Sequence, residues 1–169
     1  MLEIDLQALE QRPKEWRVEV PEEGGPWEDT DLRFAERPVL DLVASLTGDR
    51  GVHVRGVLET TLLLRCRRCL QDIRRGMEVG LDLLFDPGVD KEGENEQVYE
   101  LEAKASVLDL SPAVREQLLL EVPPYPLCAE DCAGLCPSCG IDRNEEECDC
   151  TLEEPDPRWD ALRELKQTD

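Results

Sequence analysis

The sequence predicts an α+β fold: an antiparallel, barrel-like β-sheet with one packed helix and a C-terminal cysteine-rich module. Three observations carry that expectation. Residues 52–64 (V-H-V-R-G-V-L-E-T-T-L-L-L) are rich in β-branched side chains, and residues 73–85 alternate with Met77, Val79, Leu81 and Leu83 on one side. Ser111 and Pro112 read as an N-cap with proline at the first helical position, and residues 113–121 then space Val114 and Leu118 along a helix. Six of the eight cysteines crowd into residues 128–150.

The remaining elements follow in chain order. Residues 1–12, with Leu2, Ile4, Leu6 and Leu9, suit a short strand or a helical turn equally. Pro13, Pro21, Gly24, Gly25 and Pro26 limit the next stretch to a short strand over residues 16–20. Trp16 and Trp27 are expected to cap the core. Residues 39–46 are densely aliphatic and lead into a turn at Gly48-Asp49-Arg50-Gly51. Gly56, inside the next long strand, suggests a bulge or bend. The C-R-R-C turn then joins two long strands of an antiparallel meander. Residues 86–97 form an acidic, glycine-containing loop, and residues 98–101 a short strand. Leu118, Leu119 and Leu120 make the helix apolar all round, so it should pack on the sheet, and Pro123-Pro124 ends it. The organisation expected is a β-rich body over residues 1–127, a cysteine module over 128–150 and an acidic tail over 151–169. Trp159, Leu162 and Leu165 suggest one short helix in that tail.

Composition narrows the function. Among 169 residues, 40 are acidic and 19 basic, a net charge of −21 that repels phosphate backbones and favours basic partners or simple solubility. Aromatic residues are only 4%, so the core must be aliphatic. The N-terminus has no positive segment followed by an apolar run, and no stretch reaches the length of a membrane span. A cytoplasmic location follows as the expectation, and eight cysteines there point to metal ligands or redox groups rather than disulfides.

Spacing favours zinc. Cys136-Pro137-Ser138-Cys139-Gly140 is a knuckle in which two thiolates grip one ion from a tight turn, and the glycine permits positive φ. Cys148 and Cys150 return to complete four soft ligands. Cys66, Cys69, Cys128 and Cys132 would then make a second site. The alternative closes Cys66 and Cys69 on Cys136 and Cys139. One or two zinc ions are implied, and a four-cysteine site has no open position, so its role is structural. Thiol-redox chemistry is the rival reading, but it wants a helix N-terminus in a βαβ unit, which the flanks of C-R-R-C do not supply. An iron–sulfur cluster would need a preceding C-x-x-C-x-x-C that the sequence lacks.

Arg65, Arg67, Arg68, Arg74 and Arg75 are the one basic cluster. They suit an RNA phosphate or acidic-protein contact, and equally suit guanidinium groups offsetting thiolate charge. The acidic runs over 92–96 and 145–154 read as solvated loops, with mimicry of nucleic acid before a basic protein as the functional alternative. The lone His53 reads as a satisfied strand-face residue. No nucleophile–histidine–carboxylate set and no phosphate-binding glycine loop is present, so neither an enzyme nor a small-molecule substrate is expected.

At T-T-L-L-L-R-C-R-R-C-L, then D-C-A-G-L-C-P-S-C-G-I-D with a closing C-D-C, the chain resembles the YceD family over roughly residues 30–150. That resemblance implies a role in accumulation of large-subunit ribosomal RNA, with no established catalytic residues, and a gene often beside that of a small basic ribosomal protein. Some members keep only the C-x-x-C pair, which fits two separate sites. The function expected is a non-enzymatic ribosome-assembly factor. It would bind a basic ribosomal protein or large-subunit assembly intermediate, with direct ribosomal RNA contact through the arginines as the alternative.

Overall fold

The structure, a computed structural model, describes residues 2–10, 12–48, 50–88, 98–102 and 104–150. The expected acidic run over 92–96, the tail helix and the end of the run over 145–154 lie outside the described residues. The elements are β1 (Glu3–Asp5), the one-turn helix α1 (Leu6–Leu9), β2 (Lys14–Glu19), β3 (Phe34–Thr47), β4 (Gly51–Arg65), β5 (Asp72–Asp86), β6 (Val98–Glu100), β7 (Val107–Asp109) and α2 (Ser111–Glu121). The ambiguity of the first residues resolves into both alternatives in succession: a strand, then a helical turn capped by Asp5, whose carboxylate accepts from Gln7 N.

The main sheet is five-stranded in the order β2-β3-β4-β5-β6, and β1 pairs with β7 in a separate two-stranded ribbon. Strands β2 to β5 form the expected antiparallel meander, but β6 joins β5 in parallel. The barrel-like closure is not found. The sheet ends on six-residue β2 and three-residue β6, which do not pair with each other, so it is open.

Even-numbered residues of β3 and β4 and odd-numbered residues of β5 face inward: Leu40 and Leu42, Val54 and Leu58, Val79 and Leu81 are buried. The β1–β7 ribbon, α1 and α2 cover this face with Ile4, Leu9, Leu108, Val114 and Leu118 in the same core, and the opposite face is left to solvent. Only Leu118 of the Leu118-Leu119-Leu120 run is buried; Leu119 and Leu120 are exposed. The helix starts differently from expectation as well. Leu110 occupies the N-cap, and Asp109 Oδ1 accepts from Ser111 N at 2.9 Å. Trp27 is buried and packs on Phe34 with ring centroids 5.1 Å apart, while Trp16 is half-buried at the core margin.

Gly56 is not a bulge. It pairs in unbroken register with Leu42, and the register shifts lie instead between Phe34 and Val39, around Pro38. Proline has no N–H for the ladder, so the irregularity belongs there. Gly56 is small because Asp41 O and Leu42 Cδ2 occupy the space a side chain would need.

Candidate metal centres and the arginines around them

Cys66 and Cys69 lie on the turn joining β4 to β5, and Cys136 and Cys139 lie on a second turn with the same backbone. In the first, Leu70 N donates to Cys66 O at 3.1 Å and Cys66 N to Gln71 O at 2.8 Å. In the second, Gly140 N donates to Cys136 O at 2.9 Å and Cys136 N to Ile141 O at 2.8 Å. The residue after the second cysteine has positive φ in both, +62° at Leu70 and +78° at Gly140.

Each turn receives a further pair of thiols. Cys66, Cys69, Cys128 and Cys132 form one group and Cys136, Cys139, Cys148 and Cys150 the other, all sulfurs within a group lying within 4.8 Å of one another. A tetrahedral ion bound at the usual zinc–thiolate length separates its sulfurs by about 3.8 Å. Cys66 and Cys132 are 3.8 Å apart, and Cys69 and Cys128 are 3.6 Å apart. The thiols therefore fit two metal ions, each enclosed by four donors of one kind.

Electrostatics prepares each group unevenly. The backbone N–H of Cys69 draws the Cys66 thiol down to about 6 against the opposition of burial, with the N–H of Arg68 assisting. The N–H groups of Cys139 and Ser138 draw Cys136 down to about 6 in the same way. The last thiols go the other way. Cys128 is pushed up to about 12, first by the sulfurs of Cys132 and Cys69, and Cys150 up to about 12, first by that of Cys139. One thiolate per group thus forms readily, and the crowded remainder needs a cation to shed their protons.

The two centres touch through Asn144. It sits between Cys139 and Cys148, yet its Nδ2 donates to Cys132 Sγ of the other group at 3.4 Å and its Oδ1 accepts from Ala133 N at 2.7 Å. As a residue type, asparagine in the excursion between Cys139 and Cys148 signals no more than a turn. Its position inside a knuckle excursion was the available signal.

The five arginines do not make one patch. Arg68 donates to the carbonyls of Glu130 at 3.2 Å and Cys132 at 2.8 Å, tying the first turn to the cysteine segment. Arg65 pairs with Asp72 at 3.8 Å and Arg74 with Glu36 at 3.0 Å. Arg74 and Arg75 alternate to opposite faces of β5. Of the five, Arg67, Arg68 and Arg75 have no ion pair among the described residues, and Arg68 is held by those carbonyls instead. His53 lies on a strand face with Nε2 2.5 Å from Asp82 Oδ1. No helix among the described residues is long and apolar enough to cross a membrane.

A model of the family described as "Large ribosomal RNA subunit accumulation protein YceD" matches residues 54–166. The chain belongs to the YceD family. Among curated proteins, "Uncharacterized protein Rv2926c" of Mycobacterium tuberculosis is 34% identical over 118 residues, covering 68% of this chain and 56% of that protein. The "Large ribosomal RNA subunit accumulation protein YCED homolog 1, chloroplastic" of Arabidopsis thaliana is 25% identical over 157 residues, covering 77% of this chain and 49% of that one. The chain thus spans about half the length of the curated relatives it matches. No solved structure matches this YceD chain. The family match begins within β4, so it takes in both knuckles and both thiol groups.

Proposed function

We propose that this YceD protein is a non-enzymatic, cytoplasmic factor that supports accumulation of large-subunit ribosomal RNA by holding a basic ribosomal protein or assembly partner. Two structural zinc ions, one in each thiol group, stiffen the 128–150 module and clamp it to the β4–β5 turn, which carries the first knuckle. When bound, zinc supplies a tetrahedral cross-link and no reactive position, because four cysteines fill its coordination. The chain's residues then do the rest: Arg68 and Asn144 orient the ligands, and the body presents its acidic surface.

The observation that supports this reading is the charge left after internal pairing. The net charge is −21, and Arg65, Arg68 and Arg74 are engaged within the chain. What is left facing outward is an excess of carboxylates, which attracts a basic protein over a screened distance of about 8–10 Å and repels naked RNA.

The test is binding of purified basic large-subunit proteins to the zinc-loaded chain across a salt series. Affinity should fall steeply as salt rises through the physiological range. Salt-independent association overturns the acidic-surface reading. Direct RNA binding is separated by Arg67→Glu with Arg75→Glu. Those changes leave protein capture intact or stronger, whereas an RNA module would lose its ligand.

A further inference from the structure

Among the described residues the outer edge of β5 is open over most of its length. Gln71 O accepts from Cys66 N at 2.8 Å at one end, and Asp86 O accepts from Leu101 N at 3.2 Å at the other. The β4–β5 register runs between them without a shift. Alternation then turns the N–H and C=O groups of Asp72, Arg74, Gly76, Glu78, Gly80 and Asp82 away from β4. The strand β6 takes only Leu84, Phe85 and Asp86, and among the described residues nothing pairs with the edge before them. The opposite edge, β2, is six residues long, charged, and bracketed by Pro13 and Pro21. Those are usual protections against pairing; β5 is charged too, at Asp72, Arg74, Arg75, Glu78 and Asp82, but it is far longer and carries neither a proline nor a bulge.

Two glycines stand on this stretch without an internal reason. A side chain at Gly56 would collide with Asp41 and Leu42, whereas a Cβ at Gly76 or Gly80 would meet nothing within 4 Å. Neither has positive φ, and neither sits at a register shift. Glycine inside a strand weakens it, and with a bulge excluded, close approach of a ligand or another backbone is a use these two positions are open to. Beside Gly76 lies an open hollow of about 450 Å³ whose charged rim is Glu36, Arg37, Glu59 and Glu78, with Glu36 paired to Arg74 and Arg37 to Glu22. Glu59 and Glu78 face each other across the ladder, both exposed and neither ion-paired among the described residues. Like charges so placed destabilise the pair until a cation comes between them.

We infer that the β5 edge from Asp72 to Asp82 is a docking strip for an extended, lysine- or arginine-bearing segment of a partner protein. The segment adds as a strand to β5 and sets a basic side chain between Glu59 and Glu78. A second copy of this chain is a poorer occupant, because it brings the same −21 charge and sets Glu78 against more carboxylate. The inference rests on the basic-partner reading above and adds the place and mode of capture.

The probe is a short peptide of alternating lysine and valine added to the full, metal-loaded chain, with a glutamate–valine peptide as control. Bound lysine peptide should slow amide exchange at Gly76, Glu78 and Gly80 by about tenfold or more, and the glutamate peptide should not bind. Gly80→Pro removes an outward N–H that β4 does not use, so it should weaken binding about tenfold with metal content unchanged. Should that variant misfold, Glu59→Lys with Glu78→Lys changes only exposed side chains and should give the same loss. Protection elsewhere, or binding indifferent to both variants, overturns the edge while leaving a basic partner possible through the salt series. Conversely, strand addition by the peptide alongside salt-independent capture of ribosomal proteins keeps the edge and removes the functional reading. Self-association abolished by Gly80→Pro assigns the strip to a second copy and overturns the inference.

Discussion

Leu70 occupies the backbone position in the first knuckle that Gly140 occupies in the second, at φ +62° against +78°. A leucine in the left-handed region costs about 1–2 kcal/mol, which glycine avoids. Leu70 is also 53% exposed, so burial returns little for the strain. Leu70→Gly is therefore expected to stabilise the metal-loaded chain by about 0.5–1 kcal/mol after the added freedom of the unfolded chain is subtracted. Gly140→Ala should destabilise by about 1 kcal/mol, purely through the backbone, since a Cβ there meets nothing within 4 Å. Denaturant unfolding of the two variants checks both signs.

Ligand removal should act on one centre at a time. Elemental mass spectrometry of anaerobically purified protein is expected to give two zinc ions per chain, one for each thiol group. Cys148→Ser should drop the count by one through the second group, and Cys69→Ser by one through the first. No zinc in the parent chain, with oxidised thiols instead, would reopen the redox reading.

Asn144 should couple those losses. Its Nδ2 steadies the Cys132 sulfur while its own loop is held by Cys139 and Cys148. Asn144→Ala removes an outer-shell partner, and its expected effect is about tenfold weaker metal binding at the first centre with unchanged stoichiometry at saturation. Competition with a chromophoric chelator measures it. Equal weakening at both centres would instead mean general loosening of the module.

Metal-free protein should show a stability maximum near pH 9. The Cys66 and Cys136 thiols are lowered to about 6 from an ordinary 9.0. Their contribution is complete above 9.0 and is lost as pH falls through about 6. Cys128 and Cys150 are raised to about 12, so their contribution is complete below 9.0 and is lost as pH rises toward 12. The denaturant midpoint of the chelator-treated chain should climb from pH 6 to 9 and decline beyond. A steady fall from pH 6 to 9 would contradict the assignment of the low thiols.

These expectations divide by what kind of interaction carries them. The long strands were legible because β4 and β5 hold an alternating pattern over many residues, and the knuckles because C-x-x-C fixes two ligands within one turn. Which pairs combine was legible in part: sequence nearness favoured grouping Cys136, Cys139, Cys148 and Cys150 and left the other four together, as found, but Cys66 meets Cys132 across 66 positions of chain, and only the tertiary path decides against closure on Cys136 and Cys139. The direction of β6 was equally hidden, since three residues carry no directional signal. Arg68 shows the deepest limit. Its neighbours in sequence suggest a surface cation, but its guanidinium is held by two backbone carbonyls, and a carbonyl acceptor has no sequence signature. The strain at Leu70 could have been read by aligning the two knuckles on their cysteines.

Glycine substitutions should separate structure from docking along the sheet. At Gly56 a Cβ would overlap Asp41 O and lie 2.8 Å from Leu42 Cδ2 in the middle of the β3–β4 ladder. Backbone cannot step aside without breaking hydrogen bonds on both sides, so Gly56→Ala is expected to cost about 2–4 kcal/mol. Gly76→Ala meets open space in an extended strand and should leave stability unchanged or raise it by about 0.5–1 kcal/mol. Thermal unfolding of the two variants, both metal-loaded, gives the comparison. Equal destabilisation would mean that Gly76 has an internal role after all, and the spare space beside it would then need another explanation.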